Sequence, residues 1–214
     1  MRIAILGAGQ VGRTLGVRLA ARGHRVCFGV RRPRRERRGA PLPPGEVHRP
    51  AAAAIGAELL ILALPFRAAR EVLAELGDLG GRVLVDVTNP IDLGGPERLL
   101  VGHDDSGGEQ VARWAFGARV VKAFHQTGAS NMADPVYGGR PIPTFIAGDD
   151  EDARRVVADL AAEIGFEPVD AGPLANARLL EPLAMLRIWL ASRGGLGPGF
   201  AFQIVRRGDL ATAG

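Results

Sequence analysis

Cysteine is almost missing from this chain. Cys27 stands alone, so no disulfide can close within it, and a reducing, cytoplasmic setting is the expectation. Lysine is as scarce: Lys122 is the only one, and the basic charge is carried by arginine. Aromatic residues make up 5% of the sequence. The longest apolar runs, such as 59–65, fall far short of the roughly 20 residues that span a bilayer, so no membrane segment is expected. No basic stretch followed by an apolar run precedes Arg2, which argues against a signal peptide. Metal-ligand spacing is also lacking. His24, His48 and His103 fall in predicted turns, His103-Asp104-Asp105 reads as a solvated loop, and no metal is expected. The net charge of +4 is concentrated, with six arginines between Arg31 and Arg38. A nucleic-acid surface needs a broader basic stripe, so nucleic acid is not an expected partner.

What remains is an ordinary globular balance, 47% hydrophobic and 23% charged over 214 residues. Short apolar runs alternate with amphipathic stretches, without an internal repeat. Strands are predicted at 2–6, 25–30, 58–64, 82–87, 119–123, 144–147 and 167–169, with a short one near 46–48 and a terminal one over 200–206. Helices are predicted over 10–22, 51–57, 66–76, 109–116 and 150–164. A long apolar helix over 174–192 should be interrupted at Pro182. Apolar nearly all round, it should be buried, as core or as a contact in a homodimer, with a wall for a flat acceptor as the alternative. The pattern gives an α/β class: a Rossmann-type doubly wound, mostly parallel sheet with a small C-terminal helical appendage. The expected division is a dinucleotide-binding domain over 1–138 and an α/β appendage over 139–214, which holds the long helix.

The most specific local signal is Gly7-Ala8-Gly9-Gln10-Val11-Gly12, a G-x-G-x-x-G run between a buried strand and an amphipathic helix. Gly7 permits the tight turn, Gly9 lets backbone approach a pyrophosphate, and Gly12 lets helix and strand pack closely. The helix N-terminus offers free N–H groups to phosphate. The second strand ends Val30-Arg31-Arg32, without the acid that binds ribose hydroxyls in NAD sites. Arginine suits the 2′-phosphate of NADP(H) instead. Arg31 is the first candidate, Arg32 the second, and Arg34 and Arg35 are helpers.

With these residues in place, the sequence resembles predicted dinucleotide-binding reductases related to the deazaflavin (coenzyme F-420)-dependent NADP reductases. The same unit occurs in the cytoplasmic part of the STEAP membrane ferric reductases. The matching segments are 7–12, 29–33, 62–66, 86–90, 120–124, 170–174 and 176–178. The resemblance implies that Ala63, Leu64 and Pro65 run past the adenosine and ribose, and that Thr88, Asn89 and Pro90 lie near the nicotinamide ribose. Two positions depart from the pattern. Val30 stands where many relatives carry serine, and His125-Gln126-Thr127 stands where many have Asn-Thr. A histidine near this point is similar to the deazaflavin reductases, where it lies close to the deazaflavin.

Three functions fit. One is hydride transfer between NADPH and a deazaflavin or flavin-type small-molecule acceptor, which needs orientation more than acid–base groups. Another is reduction of a small carbonyl, imine or unsaturated metabolite, for which His125 would supply the proton. The last is an NADP(H)-binding sensor without turnover. Lys122, in mid-strand, is expected to be paired and partly buried. The loop 194–199 is expected beside the acceptor.

Overall fold

The structure, a computed structural model, describes residues 1–33, 45–92 and 98–207. Strands β1 (Arg2–Leu6), β2 (Arg25–Gly29), β3 (Glu46–His48), β4 (Leu59–Leu62), β5 (Val83–Asp86), β6 (Arg119–Lys122), β9 (Pro143–Gly148) and β10 (Glu167–Asp170) form one sheet. Between β6 and β9, β7 (Val136–Tyr137) and β8 (Arg140–Pro141) make a small separate ribbon. The sheet order is β10-β9-β6-β5-β4-β1-β2-β3, parallel throughout except for β6 against β9. The six strands from β3 to β6 thus follow the doubly wound order 3-2-1-4-5-6, which opens a crevice where the winding reverses, between β1 and β4.

The central strands read as continuous apolar runs because both faces are covered. Ile3, Ala4, Ile5 and Leu6 are all fully buried. Ile3 and Ile5 join Leu15, Leu19 and Phe28 in one core layer, while Ala4 and Leu6 join Leu60, Leu62 and Leu73 in the other. The helices that cover these faces are α1 (Gln10–Ala21), α2 (Pro50–Ala54), α3 (Ala69–Leu76), α4 (Gly107–Trp114), α5 (Ala129–Ala133), α6 (Glu151–Glu163) and α7 (Ala177–Ser192). Gly16 matters to this packing: a Cβ there would run into the Phe28 ring, so α1 sits close on β2 only with glycine at that turn.

Several boundaries move for identifiable reasons. Helix α4 begins at Gly107, not Glu109. Ser106 caps it, accepting from the Glu109 N–H at 3.1 Å, and the Glu181 carboxylate takes the Gly107 and Gly108 N–H groups at 2.9 and 3.0 Å. Helix α2 begins at Pro50, whose missing N–H costs nothing at a first helical position. The terminal strand predicted over 200–206 does not form. Its backbone is held instead by side chains: Asn131 donates to the Phe200 carbonyl at 2.6 Å, and Arg187 donates to the Pro198 carbonyl at 3.0 Å.

Helix α7 departs most from expectation. It runs as one helix with Pro182 inside it. It is not buried all round: Leu179 is 70% exposed, Leu186 49% and Trp189 47%. Spaced by seven and three residues, these form one outward stripe. The inward face carries Ala177, Leu180, Glu181, Ala184 and Arg187. The helix therefore turns two charged residues into the protein and leaves large apolar ones in solvent.

Candidate active site

The first half of the site is an open cleft of about 990 Å³ over the ends of β1, β2 and β4. That lies at the upper end of the roughly 300–1,000 Å³ typical of ligand pockets. The β1–α1 turn forms its floor. Gly7 has a φ of 115°, and a Cβ on it would collide with the Ala63 carbonyl. Gly12 is equally constrained against the Gly7 carbonyl, whereas a Cβ on Gly9 would meet nothing. Gly7 and Gly12 thus serve the fold, and Gly9 leaves backbone bare to the cleft. Gly9 caps α1 without a side chain, so the first-turn N–H groups face the cleft unclaimed by a cap.

Of the residues singled out in the sequence, Gly7, Ala8, Gly9, Val30, Arg31, Arg32, Ala63, Leu64 and Pro65 line this cleft. Gln10 opens α1 in solvent, Val11 packs against the core and Gly12 is buried beneath the turn. Arg31 and Arg32 are exposed, and among the described residues neither forms an ion pair. Arg34 and Arg35 lie outside the described residues. Arg13 and Arg49 also line the cleft. Sequence reasoning missed both, although Arg49 stands before a proline that starts a helix and Arg13 lies one turn into α1.

The second half lies at the ends of β5 and β6, beneath α7. Asp86 and Lys122 are register partners at the ends of adjacent strands, and Asn89 and His125 follow each by three residues in the loops beyond. Asn89 donates to the His125 carbonyl at 2.8 Å. Phe124, just before, has a left-handed φ of 60° and donates its N–H to Thr144 Oγ1 at 3.0 Å. A bulky residue in that region is strained, and such strain clusters at functional turns. His125 is 5% exposed, and neither ring nitrogen has a hydrogen-bond partner. The Leu180 carbonyl approaches the ring without closing such a bond. Burial pushes the imidazole well below its usual 6.5, and the nearby Lys122 charge pushes the same way. The ring is therefore neutral at pH 7.

Among the described residues, the other buried polar atoms without partners are Thr88 Oγ1 and Asn89 Oδ1 beyond β5, Gln126 Oε1 beyond β6, and Arg187 Nε on α7. Buried polar groups are nearly always satisfied, so these orphaned atoms call for a partner. Pro90 is buried beside them.

Beside these atoms lies a fully buried ion network. Lys122 Nζ donates to Asp86 Oδ2 at 2.9 Å, to Glu181 Oε1 at 2.8 Å and to the Thr88 carbonyl at 2.6 Å. Burial alone would lower the lysine, but the two carboxylates outweigh it and hold the ammonium above its ordinary value. The lysine is thus paired as expected, but fully rather than partly buried. Glu181 escaped sequence reasoning because it lies in an otherwise apolar helix. Elsewhere, β2 and β3 bring Cys27, Glu46 and His48 together, and His48 ends the short strand expected near 46–48.

Residues 2–90 match the family model described as NADP oxidoreductase, coenzyme F420-dependent. The F420-dependent NADP reductase of Methanocaldococcus jannaschii is 30% identical over 89% of this chain and 92% of its own. Metalloreductase STEAP3 of Rattus norvegicus is 37% identical over 88% of this chain, which spans only 38% of that longer protein. A crystal structure from Arthrobacter sp. FB24, assigned provisionally to the F420-dependent NADP-reductases, superposes with a TM-score of 0.86 at 36% identity, covering 96% of this chain and all of that one. Among the described residues no helix is long and apolar enough to cross a membrane. With 30% identity to that reductase over 92% of its length, and a fold shared with the Arthrobacter structure, the chain belongs to the F420-dependent NADP reductase family and is an NADP-dependent oxidoreductase.

Proposed function

We propose that the chain binds NADP(H) in the open cleft and exchanges a hydride between it and a flat deazaflavin or flavin-type acceptor seated against the orphaned polar atoms beneath α7. The observation that carries this reading is His125: buried, neutral and without a partner at the end of β6. The residues present fit the dinucleotide. Gly9 leaves room for the pyrophosphate against the α1 N-terminus, and Arg31 and Arg32 hold the 2′-phosphate. When bound, the nicotinamide supplies or accepts the hydride.

The chain's own residues orient and exclude water. Asn89 fixes the His125 backbone, Lys122 fixes the Thr88 carbonyl, and α7 covers both strand ends. A neutral His125 donates or accepts one hydrogen bond to a heteroatom of the acceptor. It is poorly placed as an acid for a carbonyl or imine, because the charged form is disfavoured where it sits. This favours the reading in which no strong proton donor is required.

The test mixes the protein with NADPH and an oxidised deazaflavin and follows the acceptor's visible band. Bleaching supports the reading. NADPH binding, seen by its fluorescence, without bleaching across pH leaves the cofactor half standing and overturns the acceptor half. We further propose a homodimer, supported by the outward stripe of Leu179, Leu186 and Trp189 on α7.

A further inference from the structure

A different set of chemistry-bearing side chains meets at the opposite edge of the sheet. Cys27 on β2 is the register partner of Glu46 on β3, the edge strand, and His48 follows two residues later on the same face. The Cys27 thiol sulfur, a Glu46 carboxylate oxygen and a His48 ring nitrogen all lie within 4.8 Å of one another. His48 Nε2 stands 3.4 Å from Glu46 Oε2. Tetrahedral zinc, with bonds of about 2.3 Å to sulfur and 2.0–2.2 Å to nitrogen or oxygen, holds its ligand atoms roughly 3.3–3.7 Å apart. Rotamer shifts of ~1 Å therefore close the site. The side chains that must move are the ones with room, since Glu46 is 68% and His48 47% exposed. Cys27, 3% exposed, is held by the core.

We propose that Cys27, Glu46 and His48 form a binding site for a thiophilic divalent cation of the zinc class, with water as the fourth ligand. Thiolate, imidazole and carboxylate together select such an ion over magnesium or calcium, which prefer all-oxygen cages. On binding, the Cys27 thiol releases its proton to solvent and a metal–sulfur bond forms, with no change of oxidation state. A thiol facing a carboxylate in a buried position is a poor home for an unpaired thiolate, and a cation resolves that conflict.

The placement has a consequence. Strand β2 leads directly into Arg31 and Arg32, and β3 leads into Arg49; all three line the dinucleotide cleft. An ion bridging the two strands stiffens their paired ends and reduces the freedom of the Arg31, Arg32 and Arg49 guanidinium groups. Metal occupancy should therefore tighten NADPH binding. This coupling rests on the proposed use of the cleft; the metal site itself does not.

The experiment uses the full chain, freed of metal by a chelator and titrated with cobalt(II). Because the chain has a single cysteine, any sulfur-to-cobalt charge-transfer band reports Cys27. The expected result is such a band with tetrahedral visible bands, saturating at one cobalt per chain and displaced by zinc. Removing an outer-shell partner of a metal site costs about 10- to 100-fold in affinity, so His48→Ala and Glu46→Gln should each weaken binding by at least that much. Absence of the band, or a band unchanged in both variants, overturns the site. Cys27→Ala should lose the band, and a band retained without the thiol overturns the site; should that variant fail to fold, the His48→Ala and Glu46→Gln titrations give the decision. NADPH affinity measured with and without zinc then tests the coupling. Equal affinities overturn the coupling alone, and no NADPH binding in either state counts against the use of the cleft and not against the metal.

Discussion

Lys122 Nζ and Glu181 Oε1 meet at 2.8 Å with both side chains essentially inaccessible to water, which ties the last long helix to the middle of the sheet. The same glutamate accepts the two free N–H groups that begin α4, so one carboxylate joins three elements. Removing one partner of such a network strands charge in a medium that cannot solvate it. Lys122→Met should therefore destabilise the fold by about 3–5 kcal/mol, read as a drop in the denaturant midpoint. Glu181→Gln keeps the Asp86 pair and should cost less. If the two variants were equal, the lysine would not be the keystone described.

The arginine pair makes a prediction about cofactor choice. A charge-assisted hydrogen bond contributes about 1.5–3 kcal/mol, which is roughly a 10- to 150-fold change in affinity. Arg31→Ala should raise KM for NADPH by that order and leave KM for NADH nearly unchanged. An equal effect on both cofactors would remove Arg31 from the 2′-phosphate.

Two glycines of one turn should behave oppositely. Gly7→Ala meets the Ala63 carbonyl in a left-handed conformation and should lower stability by more than the ~1–2 kcal/mol that such backbone costs a non-glycine residue. Gly9→Ala meets nothing in the protein and should cost less, about 0.5–1 kcal/mol as a poorer N-cap, yet it should weaken NADPH binding. Thermal melts beside fluorescence titrations separate the two.

His125 predicts a pH dependence of stability. The unfolded chain takes up a proton on this ring near pH 6.5, while the folded chain does so only at much lower pH. Below pH 6.5 the unfolded state binds more protons, so stability falls as pH falls through that window. The slope attributable to one group is at most about 1.4 kcal/mol per pH unit. His125→Gln should flatten that limb by up to this amount and leave stability above pH 7 less affected. An unchanged slope between pH 6.5 and 5 would mean that the ring is protonated in the folded protein.

The outward stripe of α7 predicts assembly. Leu179→Asp with Leu186→Asp should convert a dimer to a monomer in sedimentation at micromolar concentration. Wild-type protein that sediments as a monomer would dismiss the homodimer.

Much of this was legible in the sequence, and the reasons are local. Strand β1 and the G-x-G-x-x-G turn could be read because burial on both faces leaves an unbroken apolar run and because a positive φ demands glycine at position 7. Arg31 and Arg32 were legible because the acid expected at a strand end was missing. Contacts between distant residues were not. Nothing near Glu181 announces that it caps α4 and pairs with Lys122, and α7 could be read from composition only as apolar, not by which face turns inward. The segment 200–206 has strand-like residues, but its backbone partners are the side chains of Asn131 and Arg187. Cys27, Glu46 and His48 become neighbours only through the pairing of β2 with β3.

The chain's only lysine is enclosed, charged and bound on three sides. A protonated amine without access is no nucleophile, so the folded protein offers acylating reagents no side-chain amine. Succinimide esters and amine cross-linkers should leave every side chain untouched until the fold opens. Modification of Lys122, followed by mass spectrometry, would then time the separation of α7 from the sheet, and a surface carrying arginine in place of lysine becomes a built-in reporter of opening.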